Sequence, residues 1–475
     1  MTNDPGVSFP SESTSATART VLADALRKAD PVGARAVENE TSWRRNYLTH
    51  FRRAVEAGIG EAPRARSIAA DGLRSAHEQM RFNDVALDDA IDGTALTQAF
   101  HTRTVAGTAA VETELTVPYR GERLSGKALL DQLDVWVANG VVTQSFSEAI
   151  QTVQEHPEWL RLEGDTVVVL GAGAEMGPYR ALLRWGAEVV AVDLPRPEVQ
   201  GRIRSYADES AGRAHLPARI VTNGDDDSGA DLLTELPAVA HWLDGMPGRL
   251  VLGNYCYADG ATHVRVAMAA DALAQHLTRR RPDTALAFLA TPTDTFAVPA
   301  AEVAMANEAY ARRSATKLVR GPLRVVSRGR LLTRNYPPGA EIGTCDALVP
   351  QQGPNYALAK RLQRWRATAS RAEGTTVSLN VAPATRTHSV VKNKALAAAY
   401  AGAHRFGVEI FDPATSNVLM AALVAYDLRA GAAPQAEPWQ DEAVNAAHGG
   451  LWTAAYEPRS ALGLAAVLGI GALRG

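Results

Sequence analysis

Two residues with complementary chemistry, Tyr356 and Lys360, stand four positions apart in the segment PNYALAKRLQRWRA. The segment is typical of a helix that begins near Pro354, so the phenol and the ammonium share one face. A lysine ammonium lowers the pKa of a neighbouring phenol, and such a tyrosine can exchange a proton with a carbonyl or alcohol oxygen near neutral pH. The same pair is also compatible with an ordinary amphipathic helix in which the tyrosine packs and the lysine is solvated.

A glycine-rich loop lies between an apolar run and a helical pattern in TVVVLGAGAEMGPYRALLRWGAEVVAVD. Gly171, Gly173 and Gly177 let the chain turn sharply and approach a pyrophosphate, and Met176 belongs to the same cofactor-binding loop. Asp193 follows the next apolar run, about 22 residues beyond Gly171, where a carboxylate accepts hydrogen bonds from an adenosine ribose. This pattern predicts a nucleotide site.

The charge of Asp193 favours one nucleotide over another. A carboxylate at this place repels a 2′-phosphate, so NAD is favoured over NADP, although Arg196 nearby weakens that preference. S-adenosylmethionine enzymes use a similar loop and acidic residue, and glycines between a strand and a helix can also serve close packing alone. Both alternatives stay open on the loop alone.

The elements around these residues follow a regular rhythm. From Thr166 onward, short apolar runs alternate with helical patterns of roughly ten to fifteen residues, which is typical of βαβ units around a parallel sheet. Strands are predicted at 166–170, 188–192, 218–222, 249–252, 285–290 and 376–381. The predicted fold class is therefore α/β, a Rossmann-type doubly wound parallel sheet with a mostly helical N-terminal domain.

The chain divides into three predicted parts: a disordered lead-in at 1–17, a mostly helical domain at 18–160, and a dinucleotide-binding catalytic domain at 161–475. A half-buried strand is predicted at 112–117, followed by a turn at 119–122. Roughly 55 residues at 296–350 separate the fifth strand from the next helix, and insertions of this length tend to be lids or binding elements. The basic residues between Arg320 and Arg334 in this insertion suggest a neighbouring anionic or polar ligand.

With the pair and the loop placed in this strand order, the sequence resembles the short-chain dehydrogenase/reductase family over approximately 166–428, interrupted by the insertion. In that family the Tyr-x-x-x-Lys pair lies on the helix between strands five and six. The resemblance implies that Tyr356 is the acid/base and that Lys360 both holds the nicotinamide ribose and depresses the tyrosine pKa. It also implies that Pro383, at the end of strand six, borders the nicotinamide and that Asn254 lines the adenine side of the cofactor cleft.

The sequence departs from the family pattern in several places. The family's serine at the end of strand five is missing from LATPTDTF, where Thr291 or Thr293 offers a hydroxyl that could orient the substrate oxygen. Glu175 stands where the middle glycine is expected, which brings a carboxylate near the pyrophosphate. His263 lies near the place of the family's helix asparagine, but a histidine at a helix start is expected to be solvated.

Composition limits the partners. With 49 Lys+Arg against 52 Asp+Glu, the net charge of −3 gives no global field that would gather nucleic acid or an anionic membrane, so a small-molecule substrate is expected.

Cys256 and Cys345 form no disulfide framework and no zinc spacing, so no metal site is predicted. The N-terminus lacks the basic start and apolar run of a signal peptide, which favours a cytoplasmic location. The apolar run at 461–473 is shorter than the roughly 18 residues that span a bilayer and is expected to be a buried strand or helix.

These residues together predict an NAD(P)-dependent oxidoreductase that interconverts a carbonyl and an alcohol by hydride transfer, with Tyr356 as acid/base. One alternative is an S-adenosylmethionine-dependent methyltransferase, for which the Tyr356–Lys360 pair would be a coincidence. The other is a non-catalytic nucleotide-binding protein on a degenerate reductase fold, which Glu175 and the missing serine favour. The substrate and reaction direction are not determined by the sequence. The family tends to form dimers or tetramers, so a homo-oligomer is a further expectation, although the N-terminal domain could cover the surface involved.

Overall fold

The structure is a computed structural model that describes residues 5–10, 13–92, 99–219, 227–312, 315–431 and 434–472. Its strands are β1 (Val7–Ser8), β2 (Arg81–Phe82), β3 (Val85–Ala86), β4 (His101–Ala106), β5 (Val117–Tyr119), β6 (Glu122–Leu124), β7 (Asp165–Leu170), β8 (Glu188–Val192), β9 (Arg213–Ala218), β10 (Arg249–Asn254), β11 (Ala285–Ala290), β12 (Thr295–Val298), β13 (Gly343–Asp346) and β14 (Val377–Val381). Its helices are α1 (Thr14–Leu26), α2 (Pro31–Glu38), α3 (Trp43–Glu56), α4 (Ala62–Gln79), α5 (Leu87–Asp92), α6 (Gly126–Ala138), α7 (Gln144–Glu155), α8 (Tyr179–Arg184), α9 (Pro197–Asp208), α10 (Leu236–Asp244), α11 (Ala261–Arg280), α12 (Ala300–Ala311), α13 (Ala315–Val326), α14 (Gly353–Ala372), α15 (His388–Lys392), α16 (Lys394–Gly402), α17 (Pro413–Tyr426), α18 (Pro438–Ala443) and α19 (Pro458–Ala472).

The main sheet of the described residues has the strand order β14-β11-β10-β7-β8-β9-β4. The strands from β14 to β9 are parallel, and β4 lies at the edge in antiparallel register against β9. From β9 to β14 the parallel strands follow the order 3-2-1-4-5-6, which is the order of doubly wound dinucleotide-binding folds. The predicted Rossmann-type α/β fold is confirmed. Ligands of such sheets bind beyond the carboxyl ends of the strands, near the switch point, which here lies between β7 and β10.

The central strand β7 shows why this sequence folds into a covered parallel sheet. Every residue of β7 is buried, as expected for an apolar run with helices on both faces of the sheet. The register places Leu170, its last residue, level with Val192 of β8 and Asn254 of β10. The loops that follow these three strands therefore begin at the same edge of the sheet.

Strand prediction from the sequence succeeds wherever an apolar run is uninterrupted. The runs at 166–170, 188–192, 249–252, 285–290 and 376–381 correspond to β7, β8, β10, β11 and β14. The prediction at 218–222 is wrong, because the strand is β9, and residues 220–226 lie outside the described ranges. His215 and Pro217 interrupt the apolar pattern of β9, which is why it was misplaced. The prediction at 112–117 is also wrong apart from Val117, since the hairpin of β5 and β6 begins there and turns at the predicted 119–122.

The region predicted as the helical domain, 18–160, shares its core with the sheet. Helices α1 and α4 pack against α14, and α4 and α5 contact α11. The same region supplies β4 to the main sheet. Of the predicted lead-in, residues 7–8 form β1 and residues 14–17 form the first turn of α1.

The insertion at 296–350 is a folded substructure packed against both ends of the chain. Strands β12 and β13 pair in antiparallel register, and the ring of Phe296 lies 5.5 Å from that of Trp452 near the C-terminus. On the other side, the hydroxyl of Tyr47 in α3 donates to the carbonyl oxygen of Val349 at 3.3 Å. The insertion therefore connects the N-terminal helices with the C-terminal segment.

The apolar C-terminal run is helical and packs closely on α16. A Cβ atom at Gly402 would overlap the carbonyl oxygen of Ala465, and one at Gly469 would overlap that of Ala398. The expectation of burial is wrong on the outer face of α19, where Val467 is 66% exposed. None of the described helices is both long and apolar enough to cross a membrane.

Candidate active site

Five residues singled out in the sequence stand at the carboxyl edge of the main sheet. Gly171 follows β7, Asp193 follows β8, Asn254 ends β10, Thr291 follows β11 and Pro383 follows β14. Because these strands are neighbours in one parallel sheet, the loops that begin at these residues leave it at the same edge, where ligands of such sheets bind; this region is here called the cleft.

The glycine loop after β7 is held by contacts that only glycine allows. Gly171 has φ +81°, and a Cβ atom there would lie 3.1 Å from the backbone of Tyr255. Its amide donates to the carbonyl oxygen of Val192 at 2.9 Å, and the side-chain amide of Asn417 donates to the carbonyl oxygen of Gly177. The loop is thus fixed to β8, to the turn after β10 and to α17.

Asp193 faces this loop from the end of β8. Its Oδ2 accepts the amide proton of Gly173 at 2.7 Å, and its Oδ1 accepts that of Leu194 at 2.7 Å. Each carboxylate oxygen can accept a further hydrogen bond, so a ribose hydroxyl can be bound without loss of these contacts. Within the described ranges, the amide of Met176 donates to no acceptor and remains available to a phosphate. These features fit an adenine dinucleotide.

Glu175, the residue that departs from the family's glycine pattern, spans the cleft. Its Oε2 accepts the amide proton of His388 at 2.8 Å. His388 begins α15, in the segment that follows Pro383. The Glu175 carboxylate therefore joins the glycine loop to the segment after β14.

The tyrosine and lysine lie one turn apart on α14, as predicted, and both are partly buried. Burial raises the pKa of Tyr356 to about 12, opposite to the direction that the pair predicts. Burial also lowers the pKa of Lys360 to about 8. The ammonium donates to the carbonyl oxygen of Leu289 at 3.4 Å and to Oε1 of Gln363 at 3.2 Å. At neutral pH the phenol of this site is protonated.

Two threonines and a glutamine surround the phenol. Side-chain hydrogen bonds with Thr291 and Gln352 act against burial and lower the pKa of Tyr356. The hydroxyls of Thr291 and Thr293 are 2.9 Å apart, and Nε2 of Gln352 donates to Thr293 at 2.8 Å. Sequence reasoning missed Gln352, although its position four residues before Tyr356, at the N-cap of the same helix, was a usable signal.

An aromatic cluster covers the other side of Tyr356. The ring of His263 lies 5.3 Å from that of Tyr356 and 5.2 Å from that of Tyr257. His263 is only 1% exposed, so the expectation of a solvated histidine is wrong, because these two rings cover the helix start. Burial and the nearby charge of Lys360 lower the pKa of His263 to about 3, and neither ring nitrogen has a hydrogen-bond partner among the described residues. Tyr400 of α16 lies close enough to Tyr356 to interact with it electrostatically.

Asn254 and Pro383 are buried and shape the turns that border the cleft. Oδ1 of Asn254 accepts the amide proton of Cys256 at 3.3 Å, which holds the turn after β10. The carbonyl oxygen of Pro383 accepts the hydroxyl proton of Thr385 at 2.8 Å. Asn254 thus holds its turn through its side chain, and Pro383 through its backbone carbonyl.

A separate cavity of about 410 Å³ lies at the opposite edge of the sheet, beside the ends of α10 and α11. Its acidic and basic side chains pair with each other: Asp92 binds His276 at 2.8 Å and Arg279 at 2.7 Å, and Asp244 binds His276 at 3.1 Å. The glycine loop and Tyr356 are both remote from it. We therefore assign the candidate site to the carboxyl edge.

Comparison with known proteins finds distant structural similarity. No family model matches the chain, and no curated protein sequence is similar to it. The fold is similar to the terminal R domain from the myxalamid PKS-NRPS biosynthetic pathway, with 14% identity, 55% of this chain and 61% of that chain covered, and a TM-score of 0.29. The chain covers less than two thirds of that structure. The fold class follows from the strand order itself.

Proposed function

We propose that this protein is a nicotinamide-dependent oxidoreductase that reduces a carbonyl group, or oxidises the corresponding alcohol, on a small molecule. The observation that supports the proposal is the arrangement at one sheet edge of a glycine loop, Asp193, and a tyrosine beside Thr291 and Lys360. Gly171, Gly173, Met176 and Asp193 would hold the adenosine and pyrophosphate parts of the dinucleotide.

The residues around Tyr356 carry the proton chemistry of the proposal. A bound nicotinamide would supply or accept the hydride. The Tyr356 hydroxyl donates its proton to the substrate oxygen or takes it back, and the Thr291 hydroxyl orients that oxygen by a hydrogen bond. Lys360 would hold the nicotinamide ribose, and its positive charge opposes a second cation on neighbouring His263.

The pKa of the phenol determines the protonation state from which the reaction begins. Because burial raises the pKa of Tyr356 to about 12, the residue is a proton donor at neutral pH before any ligand binds. A donor is what carbonyl reduction needs at the oxygen, since the alcohol product must gain a proton there. Oxidation of the alcohol would use the same phenol after it has lost its proton, so Tyr356 can serve either direction.

The experiment that tests the proposal is a fluorescence titration with NADH, NADPH and S-adenosylmethionine, followed by a screen of carbonyl substrates. We expect saturable binding of NADH, and about tenfold weaker binding in Asp193→Asn, because the neutral amide loses a charge-assisted hydrogen bond. Asp208→Asn, at an exposed position at the end of α9, is the matched control and should bind NADH as the wild type does.

A second pair of variants separates chemistry from binding. Tyr356→Phe should retain NADH binding and lose turnover, whereas Tyr206→Phe, which alters a tyrosine packed beneath Arg180, should lose neither. Binding of S-adenosylmethionine alone would overturn the reductase mechanism in favour of a methyltransferase. Binding of none of the three ligands would favour a non-catalytic protein.

A further inference from the structure

We propose that the insertion carries a binding site for a phosphate group, formed by Arg320, Arg324 and Arg334 around the ring of Tyr310 and here named the arginine cluster. The site is separate from the dinucleotide cleft. It does not depend on the proposed oxidoreductase function.

Three guanidinium groups converge on one aromatic ring. The Cζ of Arg320 lies 3.9 Å from the ring centroid of Tyr310, and that of Arg334 lies 5.1 Å from it. Nη1 of Arg324 donates to the hydroxyl of Tyr310 at 3.3 Å. Burial raises the pKa of the neighbouring Tyr456, and a side-chain hydrogen bond with Arg320 acts against that rise. Two phenols thus lie beside the three cations.

The backbone that carries Arg334 is fixed before any ligand binds. Arg334 and Tyr456 pair in an antiparallel bridge, and Nε of Arg334 donates to Oδ1 of Asn307 in α12 at 2.9 Å. Next to them, the amide of Leu332 donates to the carbonyl oxygen of Ser460 at 3.3 Å, and Leu332 is fully buried. A preorganised donor such as Arg334 loses little conformational entropy when a ligand binds.

The charges of the arginine cluster are not balanced by protein carboxylates. Within the ranges that the structure describes, none of its three guanidinium groups forms an ion pair. Among acidic residues close in sequence, Glu308 is paired with Arg312 at 3.8 Å and Glu457 with Arg459 at 3.6 Å. Like charges held together repel one another, and an anion between them removes that cost.

The geometry of the donors selects the class of anion. Guanidinium groups are planar forks that bind phosphate oxygens in pairs, and several of them together match a multiply charged tetrahedral anion better than a single carboxylate. Free phosphate and a phosphate monoester present the same kind of oxygens to these donors.

The test is calorimetric titration of the full chain with inorganic phosphate at pH 7.5, with ionic strength held constant by chloride. We expect one saturable site per chain that is about tenfold weaker in Arg324→Gln and in Arg334→Gln, because each variant removes a charge-assisted bond. Arg312→Gln alters an exposed arginine on the same insertion and should leave phosphate binding unchanged. Thermal unfolding of each variant checks that it is folded, and the two cluster variants serve as independent probes.

Two further titrations define the source and the place of the anion. If decyl phosphate binds more tightly than inorganic phosphate, the site takes a phosphate carried on an apolar chain; equal affinity assigns it to free phosphate. Saturation with NADH should not displace phosphate, even if the oxidoreductase proposal fails. Three outcomes would each overturn the arginine cluster as a separate site. They are the absence of saturable phosphate binding, an equal loss of phosphate affinity in Arg312→Gln, and displacement of phosphate by NADH.

Discussion

At the scale of single residues, His263 shows what a sequence pattern leaves undetermined. A histidine at a helix start is normally solvated, yet Tyr257 and Tyr356 enclose this ring and leave it 1% exposed. Exposure depends on which side chains from other segments cover the position, and those segments are distant in sequence. The neutral ring, whose pKa burial lowers to about 3, completes an uncharged wall beside the phenol.

Glu175 gives the residue-scale prediction. Its carboxylate lies on the proposed path of the pyrophosphate, where like charges repel, so Glu175→Gln should bind NADH about fivefold more tightly than the wild type. Glutamine keeps an oxygen that can accept the amide proton of His388, so the loop contact is retained. The measurement is the NADH titration at low and at high salt.

The matched control for this variant is Glu158→Gln, which neutralises an exposed carboxylate that pairs with His156 at 3.1 Å. It should leave the NADH affinity unchanged at either salt concentration. Weaker NADH binding in Glu175→Gln would contradict the repulsion and would instead assign the carboxylate a role in cofactor binding.

At the scale of elements, local sequence patterns predicted those parts of the candidate site whose residues are close together in the sequence. The glycine loop, Asp193 and the Tyr356 helix each follow from periodicity and spacing within about 30 residues, and the strand order places them at one edge. Contacts between distant segments were not predictable in this way. The approach of Tyr400 to Tyr356 depends on α16, whose position depends in turn on its packing against α19.

The contact between α16 and α19 gives the element-scale prediction. A Cβ atom at Gly469 would overlap the backbone of Ala398, which cannot move as a flexible side chain would, so Gly469→Ala should lower the free energy of unfolding by about 1–3 kcal/mol. Gly463 lies on the same helix with no atom within 4 Å of its added Cβ. Gly463→Ala should therefore be neutral or stabilising by up to about 1 kcal/mol, because alanine favours helix.

Urea unfolding of both α19 variants, followed by tryptophan fluorescence, measures the difference. Equal stability of Gly469→Ala and Gly463→Ala would show that the two helices do not pack at this distance.

At the scale of the whole molecule, the alternation of strands and helices predicted the Rossmann-type sheet but not its full width. Strand β4 lies far before the glycine loop in the sequence, with several other elements between them. Its residues are mostly exposed and polar, so they form no apolar run that would predict a strand. Nor did the sequence indicate how the N-terminal helices attach. In the structure a buried charge network joins them to α11 and α14 through His77.

His77 lies between two carboxylates, with Nδ1 2.6 Å from Asp88 in α5 and Nε2 2.6 Å from Asp271 in α11. Arg366 of α14 binds the same Asp271 at 2.8 Å, and Arg279 acts electrostatically on Asp88. Burial lowers the pKa of His77, but the hydrogen bonds with Asp271 and Asp88 outweigh it and raise the pKa to about 9. The imidazolium is therefore the form that the folded protein favours at neutral pH.

This charge predicts how stability depends on pH. A histidine whose folded pKa is raised stabilises the fold fully below its unfolded pKa of about 6.5, and that contribution is lost as pH rises through about 9. The difference in free energy of unfolding between the wild type and His77→Gln should be larger at pH 6 than above pH 9.5 by on the order of 3 kcal/mol. Taking the difference cancels the contributions of groups unchanged in both proteins, such as Lys360, whose lowered pKa acts in the opposite direction.

The control is His156→Gln, which alters an exposed histidine stacked on Trp159 and should show no such trend. If the difference in free energy of unfolding between the wild type and His77→Gln stayed constant from pH 6 to 9.5, His77 would be neutral in the folded protein. Hydrogen bonds without an ionic contribution would then join the N-terminal helices to the sheet.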